Sequence, residues 1–197
     1  MVIPNTIFVA VGVITAASLT GIFSFIALIN QKEGKVSEFR QNWIDALRED
    51  VAKFTSSFDR ISTSWQLIQL QERRKATPFD GVEWIAEFNE LSKEDSSIFC
   101  ECHNRILLRL NKNKDKELIN KLNKAKLSIS DRDVMFDKSE IQSQIDDIIN
   151  VSQDLLKIEW EVVKAGEKAY INTKRATKAI VTILLLSLLI SYYFLQG

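Results

Sequence analysis

Cys100-Glu101-Cys102-His103 gathers both cysteines and the single histidine of a 197-residue chain into four consecutive positions. Thiolate and imidazole are good zinc ligands, and a cysteine near a histidine is the raw material of a nucleophilic site. The arithmetic is against both. A structural zinc takes about four ligands, usually with a C-x₂₋₄-C spacing, and this chain has two Cys and one His. On a helix, C-x-C sends the two thiols to divergent faces. A Cys and a His three residues apart on one helix need a third group to reach in-line geometry. Small, partly buried side chains are the preferred reading. The sequence has no G-x-x-x-x-G-K-[ST], G-x-G-x-x-G or G-x-S-x-G. The expectation is therefore a non-enzyme with no catalytic residue, no metal site and no cofactor.

Two further clusters invite chemistry. Lys112, Lys114, Lys116, Lys121, Lys124 and Lys126 could meet phosphate groups. They come with no Arg and no aromatic for base stacking, so a solvated helix face is expected and no specific nucleic-acid partner. The stretch Glu38–Asp50 places Trp43, Arg40 and Arg48 among Glu38, Asp45, Glu49 and Asp50. That charge balance does not suit an interfacial lipid helix, which favours Lys and Arg. Its carboxylates are expected on an exposed face, with its apolar residues in a core.

The elements that must position these groups are helices. Six Gly and two Pro leave few tight turns. Phe39, Trp43, Leu47, Val51, Phe54, Phe58, Ile61, Trp65 and Ile68 recur at gaps of three and four, which predicts one helix from near Val36 to Arg73. Thr77-Pro78-Phe79-Asp80 reads as a cap opening a short helix to Leu91. Ser92 with Asp95 reads as a second cap, opening a helix from about Lys93 to Leu110. A break at Asn111–Asn113 precedes a short helix through Leu118, Leu122 and Leu127, with Asn113 as candidate cap. Residues 128–138 have no period and are expected to be a loop. Ser139-Glu140-Ile141-Gln142 is a capping box, and no stop is read between it and the C-terminal apolar run, although Gly166 and Asn172 weaken the last turns. The two long legs are then of similar length, roughly 57 and 60 Å.

All 52 charged side chains lie in residues 31–178. The 23 uncharged residues 7–29 would form roughly 35 Å of helix, against a hydrocarbon core of about 30 Å. A cleaved signal peptide fits less well, because no Lys or Arg precedes the run and no A-x-A site follows it. Residues 179–195 form a second, Leu- and Ile-rich run. Lys32, Lys35 and Arg40 follow the first run, and Lys164, Lys168, Lys174, Arg175 and Lys178 precede the second. The positive-inside bias places residues 31–178 in the cytoplasm and both termini outside. The fold class expected is all-α: transmembrane helices at 7–29 and 179–195 and a cytoplasmic antiparallel helical bundle or coiled coil between them. Phe39, Trp43 and Leu47 are expected to face Trp160 and Val162 in a membrane-proximal core. Gly34 is the expected swivel between membrane and domain. Gly12, Ala16, Thr20 and Ser24 step by four, with Ala17 and Gly21 adjoining, and Ser187 and Ser191 repeat that spacing. Such small-residue stripes allow close helix packing in lipid. Neither run holds an ionisable residue for an ion pathway.

Three segments carry a resemblance: F-R-Q-x-W-I-x-x-L-R at Phe39–Arg48, R-I-L-L-R-L-N-x-N-x-D at Arg105–Asp115, and L-K-I-E-W-E-x-V-K-x-G-E at Leu156–Glu167. Together they cover 33 of 197 residues. The set resembles a diffuse group of small uncharacterised bacterial inner-membrane proteins, some found among anti-phage defence genes. Lys112 stands where the group's L-N-P-N turn has Pro. The resemblance implies one or two spans, a helical cytoplasmic domain and a role near phage defence, and it brings no catalytic residues. The expectation is a membrane-anchored effector or accessory protein whose cytoplasmic bundle binds a protein partner or senses a trigger, and whose spans form a homo-oligomer in the lipid bilayer and perturb the inner membrane. The alternative is a passive scaffold that holds such a partner at the membrane.

Overall fold

A computed structural model of the protein describes residues 5–74, 83–166 and 168–196. Every element among them is a helix: α1 (Asn5–Arg74), α2 (Glu83–Arg109), α3 (Lys116–Ser128), α4 (Arg132–Phe136), α5 (Lys138–Ala165) and α6 (Lys168–Gln196). The protein is all-α. It divides into two compact units, Asn42–Trp160 and the paired ends, residues 1–41 with 161–197.

The Asn42–Trp160 unit is a helical bundle around one apolar core. From α1, Leu47, Val51, Phe54, Phe58, Ile61, Trp65 and Ile68 are all buried, as their spacing predicts. Phe54 stacks on Phe99 of α2 at 4.3 Å, and Phe58 tilts against the same ring at 5.6 Å. Leu118 and Leu122 of α3, Met135 of α4, and Ile141, Ile145 and Ile148 of α5 complete the core. Polar ties set the helices against one another. Arg60 Nε meets Asp95 at 2.6 Å, the Ser62 hydroxyl donates to the Met135 carbonyl at 3.2 Å, and the Ser128 hydroxyl donates to Gln144 at 3.1 Å.

Several predicted boundaries move, each for a local reason. At Gly34, the expected swivel, α1 continues without a break. The Thr77–Asp80 cap lies outside the described residues. Ser92 opens no helix; its hydroxyl donates back to the Phe88 carbonyl at 2.7 Å, and α2 continues. The turn after α2 is present. Asn111 Oδ1 accepts from the N–H groups of Asn113 and Lys114, and Asp115, not Asn113, precedes α3. Leu127 is 75% exposed and leaves the predicted apolar face. The predicted loop 128–138 contains α4, whose cap Asp131 accepts from the N–H groups of Asp133 and Val134. At the start of α5 the capping box yields to Asp137, which accepts from the N–H groups of Ser139 and Glu140 and from the Ser139 hydroxyl at 2.6 Å.

In the unit of paired ends, α5 closes where no stop was predicted. Gly166 adopts φ of +78° and its N–H reaches the Val162 carbonyl at 2.9 Å. This left-handed glycine is a common way to end a helix. Among the described residues one helix, α1, is long and apolar enough to cross a membrane, and its apolar stretch is unburied. In that stretch Thr15, Leu19, Ile22, Ile26 and Ile29 are half-buried, a spacing of four and three.

Candidate functional site

Asp50 is fully buried, although its stretch of the sequence reads as an exposed acidic face. It lies three residues after Leu47 and four before Phe54, on the same seam that fills the core. A lone buried carboxylate is costly, so the fold must supply partners. It supplies two. Arg105 Nη2 stands 3.0 Å from Asp50 Oδ1, and Arg109 Nη1 donates to Asp50 Oδ2. The two arginines are one helical turn apart on α2, which aims both at one carboxylate. Arg105 also holds Glu101 at 3.1 Å, on the same helix. Asp50 lies two residues past the Phe39–Arg48 segment, and both arginines belong to Arg105–Asp115.

Beside this cluster lies a groove of about 600 Å³ between α1 and α2, lined by Glu49, Lys53, Ser56, Arg60, Glu101 and Cys102, among others. Across α1, Lys53 Nζ meets Glu49 at 2.6 Å. This pairing holds the Glu49 carboxyl below its usual range and raises the Lys53 ammonium above its own. The groove is therefore charged but internally matched, which leaves little net field to bind a single-sign ligand.

The Cys100–His103 cluster divides as its helical spacing predicts. Cys100 is exposed and Cys102 buried. Burial pushes the Cys102 thiol up, and the nearby Asp50 carboxylate adds to it. A thiol held protonated is a poor nucleophile and a poor metal ligand. His103 is buried; its Nε2 lies 3.2 Å from Asn123 Oδ1 of α3 and its Nδ1 3.4 Å from Asn104 Oδ1. It joins α2 to α3 at one edge of the aromatic core, 6.1 Å from the Phe54 ring.

Two of the six lysines tie helices together. Lys121 reaches Asp147 at 2.5 Å and Lys124 reaches Glu140 at 2.9 Å, tying α3 to α5. The first pair raises the Lys121 ammonium, and the second lowers the Glu140 carboxyl with help from Gln144. Lys112, Lys114, Lys116 and Lys126 are exposed.

The residues expected in a membrane-proximal core differ in burial. Leu47 is buried and Trp43 half-buried against the core, but Phe39 is 75% and Trp160 40% exposed, while Val162 is half-buried. The seam turns inward at Ile44, which is buried and which the i+4 steps passed over. On the apolar part of α1, Gly12, Ala16, Ala17, Thr20, Gly21 and Ser24 are all exposed, and a methyl group at Gly12 or Gly21 would meet nothing within 4 Å. The side chains of Ser187 and Ser191 lie outside the described residues. Comparison with protein-family models, with curated proteins and with solved structures finds no match to this chain.

Proposed function

We propose that the chain is a two-span protein of the bacterial inner membrane, with its helical bundle in the cytoplasm and both termini outside. The bundle binds a protein partner or senses a trigger, and the spans oligomerise and perturb the membrane, as an effector or accessory protein of anti-phage defence. The observation that carries this reading is the continuity of α1. One helix holds both the uncharged run 7–29 and the core seam Leu47–Ile68, with no break at Gly34. A partner that repacks the seam acts on the same element that enters the bilayer. Charge segregation supports the topology, since every Lys and Arg lies between the two apolar runs. The exposed stripe Gly12–Ser24 supports association between copies, because small residues let backbones approach closely. Long α1 and α5, each with heptad-like seams, are suited to an antiparallel coiled-coil pair within the bundle. The link to defence rests on the three motif segments.

The test is expression of the chain alone and with its genomic neighbours, under phage challenge, while membrane potential is followed with a dye. Loss of potential on challenge is expected, and an intact potential under every trigger sinks the effector role. The alternative, a passive scaffold, is favoured by the absence of any Asp, Glu, Lys, Arg or His in residues 1–30 and 179–197. Replacing both spans with unrelated ones separates the two: a scaffold keeps its activity, and an effector loses it.

A further inference from the structure

In the unit of paired ends, a cleft of about 490 Å³ lies between α1 and α6. It is within the size range of small-molecule sites. The register is antiparallel: the Tyr170 hydroxyl donates to Asn30 Oδ1 at 3.2 Å, and residues nearer the start of α1 line the cleft with residues further along α6. Its two ends differ in chemistry. Phe23, Ile26 and Val181 line the apolar end, while Tyr170, Lys174 and Lys178 line the other. The Lys174 ammonium sits over the Tyr170 ring at 5.9 Å, and Lys178 is one turn further along. Arg175 adds a third cation beside them. Residues 168–197 contain no acid, and before Glu38 the only acid on α1 is Glu33, which lies by Gly166. Among the described residues none of Lys174, Arg175 and Lys178 is paired with a carboxylate.

We infer that this cleft holds one anionic glycerophospholipid. Its phosphate lies between the ammonium groups of Lys174 and Lys178, and an acyl chain runs along Phe23, Ile26 and Val181. Charge complementarity and amphiphilicity together select this occupant. Free phosphate would leave the apolar end empty, and a neutral lipid would leave the cations without a counter-charge. The cleft spans the point where the uncharged run of α1 ends, at Ile29 and Asn30, and where that of α6 begins, at Ala179. That is headgroup depth on the cytoplasmic side, where basic pockets between helices take anionic lipid. This inference rests on the membrane reading above.

Native mass spectrometry of the full chain released from dodecyl maltoside micelles tests it, with phosphatidylglycerol and phosphatidylcholine added in turn. One phosphatidylglycerol per chain is expected to be retained, at least about tenfold more strongly than phosphatidylcholine, since each interfacial cation is worth roughly fivefold. The double variant Lys174→Gln/Lys178→Gln should lose that preference while keeping its helical circular dichroism. Val181→Trp should weaken retention of phosphatidylglycerol by filling the apolar end. Lys164→Gln, which removes an exposed cation paired with Glu161, should leave it unchanged. Equal retention of the two lipids, or an unchanged preference in the double variant, overturns the site. Alkaline carbonate extraction separates this from failure of the membrane reading. A chain that stays in the membrane but does not discriminate refutes the lipid site alone, and a chain that is released refutes both.

Discussion

Asp50 and Arg105, on different helices and far apart in the chain, bring a carboxylate and a guanidinium to 3.0 Å, and the carboxylate is fully buried. With Arg109 on its second oxygen, Asp50 becomes the pin between α1 and α2. Removing one partner of a buried pair costs more than neutralising the buried charge. Arg109→Leu is therefore expected to destabilise the bundle by about 2–3 kcal/mol, because the carboxylate stays buried with Arg105 alone. Asp50→Asn should cost less, about 1–2 kcal/mol, since the amide can still accept from an arginine. Urea unfolding of the full chain in detergent, followed by circular dichroism, gives both values. The reverse order would show that Asp50 does not depend on Arg109.

Phe99 stacks on Phe54 at 4.3 Å and is fully buried, whereas Phe39 is 75% exposed. Phe99→Ala should cost about 3–5 kcal/mol through the cavity it leaves. Phe39→Ala should stay within about 0.5 kcal/mol, as surface changes do. Thermal melts of the two variants check where the seam enters the core. A large loss from Phe39→Ala would put it back at Phe39.

The cap of α5 is Asp137, not Ser139, so Asp137→Ala should cost about 1 kcal/mol. The Ser139 hydroxyl, then the Glu140 and Ser139 N–H groups, hold the Asp137 carboxyl below its usual range. A depressed folded pKa contributes stability above the unfolded value, about 3.9, and loses it as pH falls through the lower folded value. The difference in melting temperature between wild type and Asp137→Ala should thus be constant near neutrality and shrink only below about pH 4. A gap that narrows between pH 7 and 5 would contradict the assignment.

The two cysteines should react differently. Maleimide at neutral pH is expected to label exposed Cys100 and to spare Cys102, which is 2% exposed and whose thiol is pushed up by burial. Peptide mapping by mass spectrometry reads this directly. Cys100→Ser should abolish labelling of the folded chain, and rapid labelling of Cys102 in that variant would contradict the burial.

Gly34 and Gly166 should respond oppositely to Ala. At Gly34, inside α1, a methyl group meets nothing within 4 Å, so Gly34→Ala should stabilise by about 0.5–1 kcal/mol. At Gly166 the backbone has φ of +78°, and the methyl would lie 2.9 Å from Tyr170 Cδ1 and 3.0 Å from Glu33 Oε1. Gly166→Ala should cost at least about 1 kcal/mol. Helicity and melting temperature of both variants decide it.

The core seam of α1 was legible in the residues because helical periodicity is a local property: Leu47 to Ile68 repeat at the spacing that puts them on one face. The unburied apolar run and the divergence of Cys100 and Cys102 follow from equally local rules. The cap of α5 was misread because two local acceptors competed, and Asp137 also engages the hydroxyl of its rival Ser139. The burial of Asp50 could not be read that way. Its acid type argues for a solvated face until α2 packs and brings Arg105 and Arg109 across to it. A charge is read from its own position in the chain, but the energy of burying it depends on groups that only folding brings near. The same holds for the cleft at Tyr170, whose lining comes from two helices far apart in the chain.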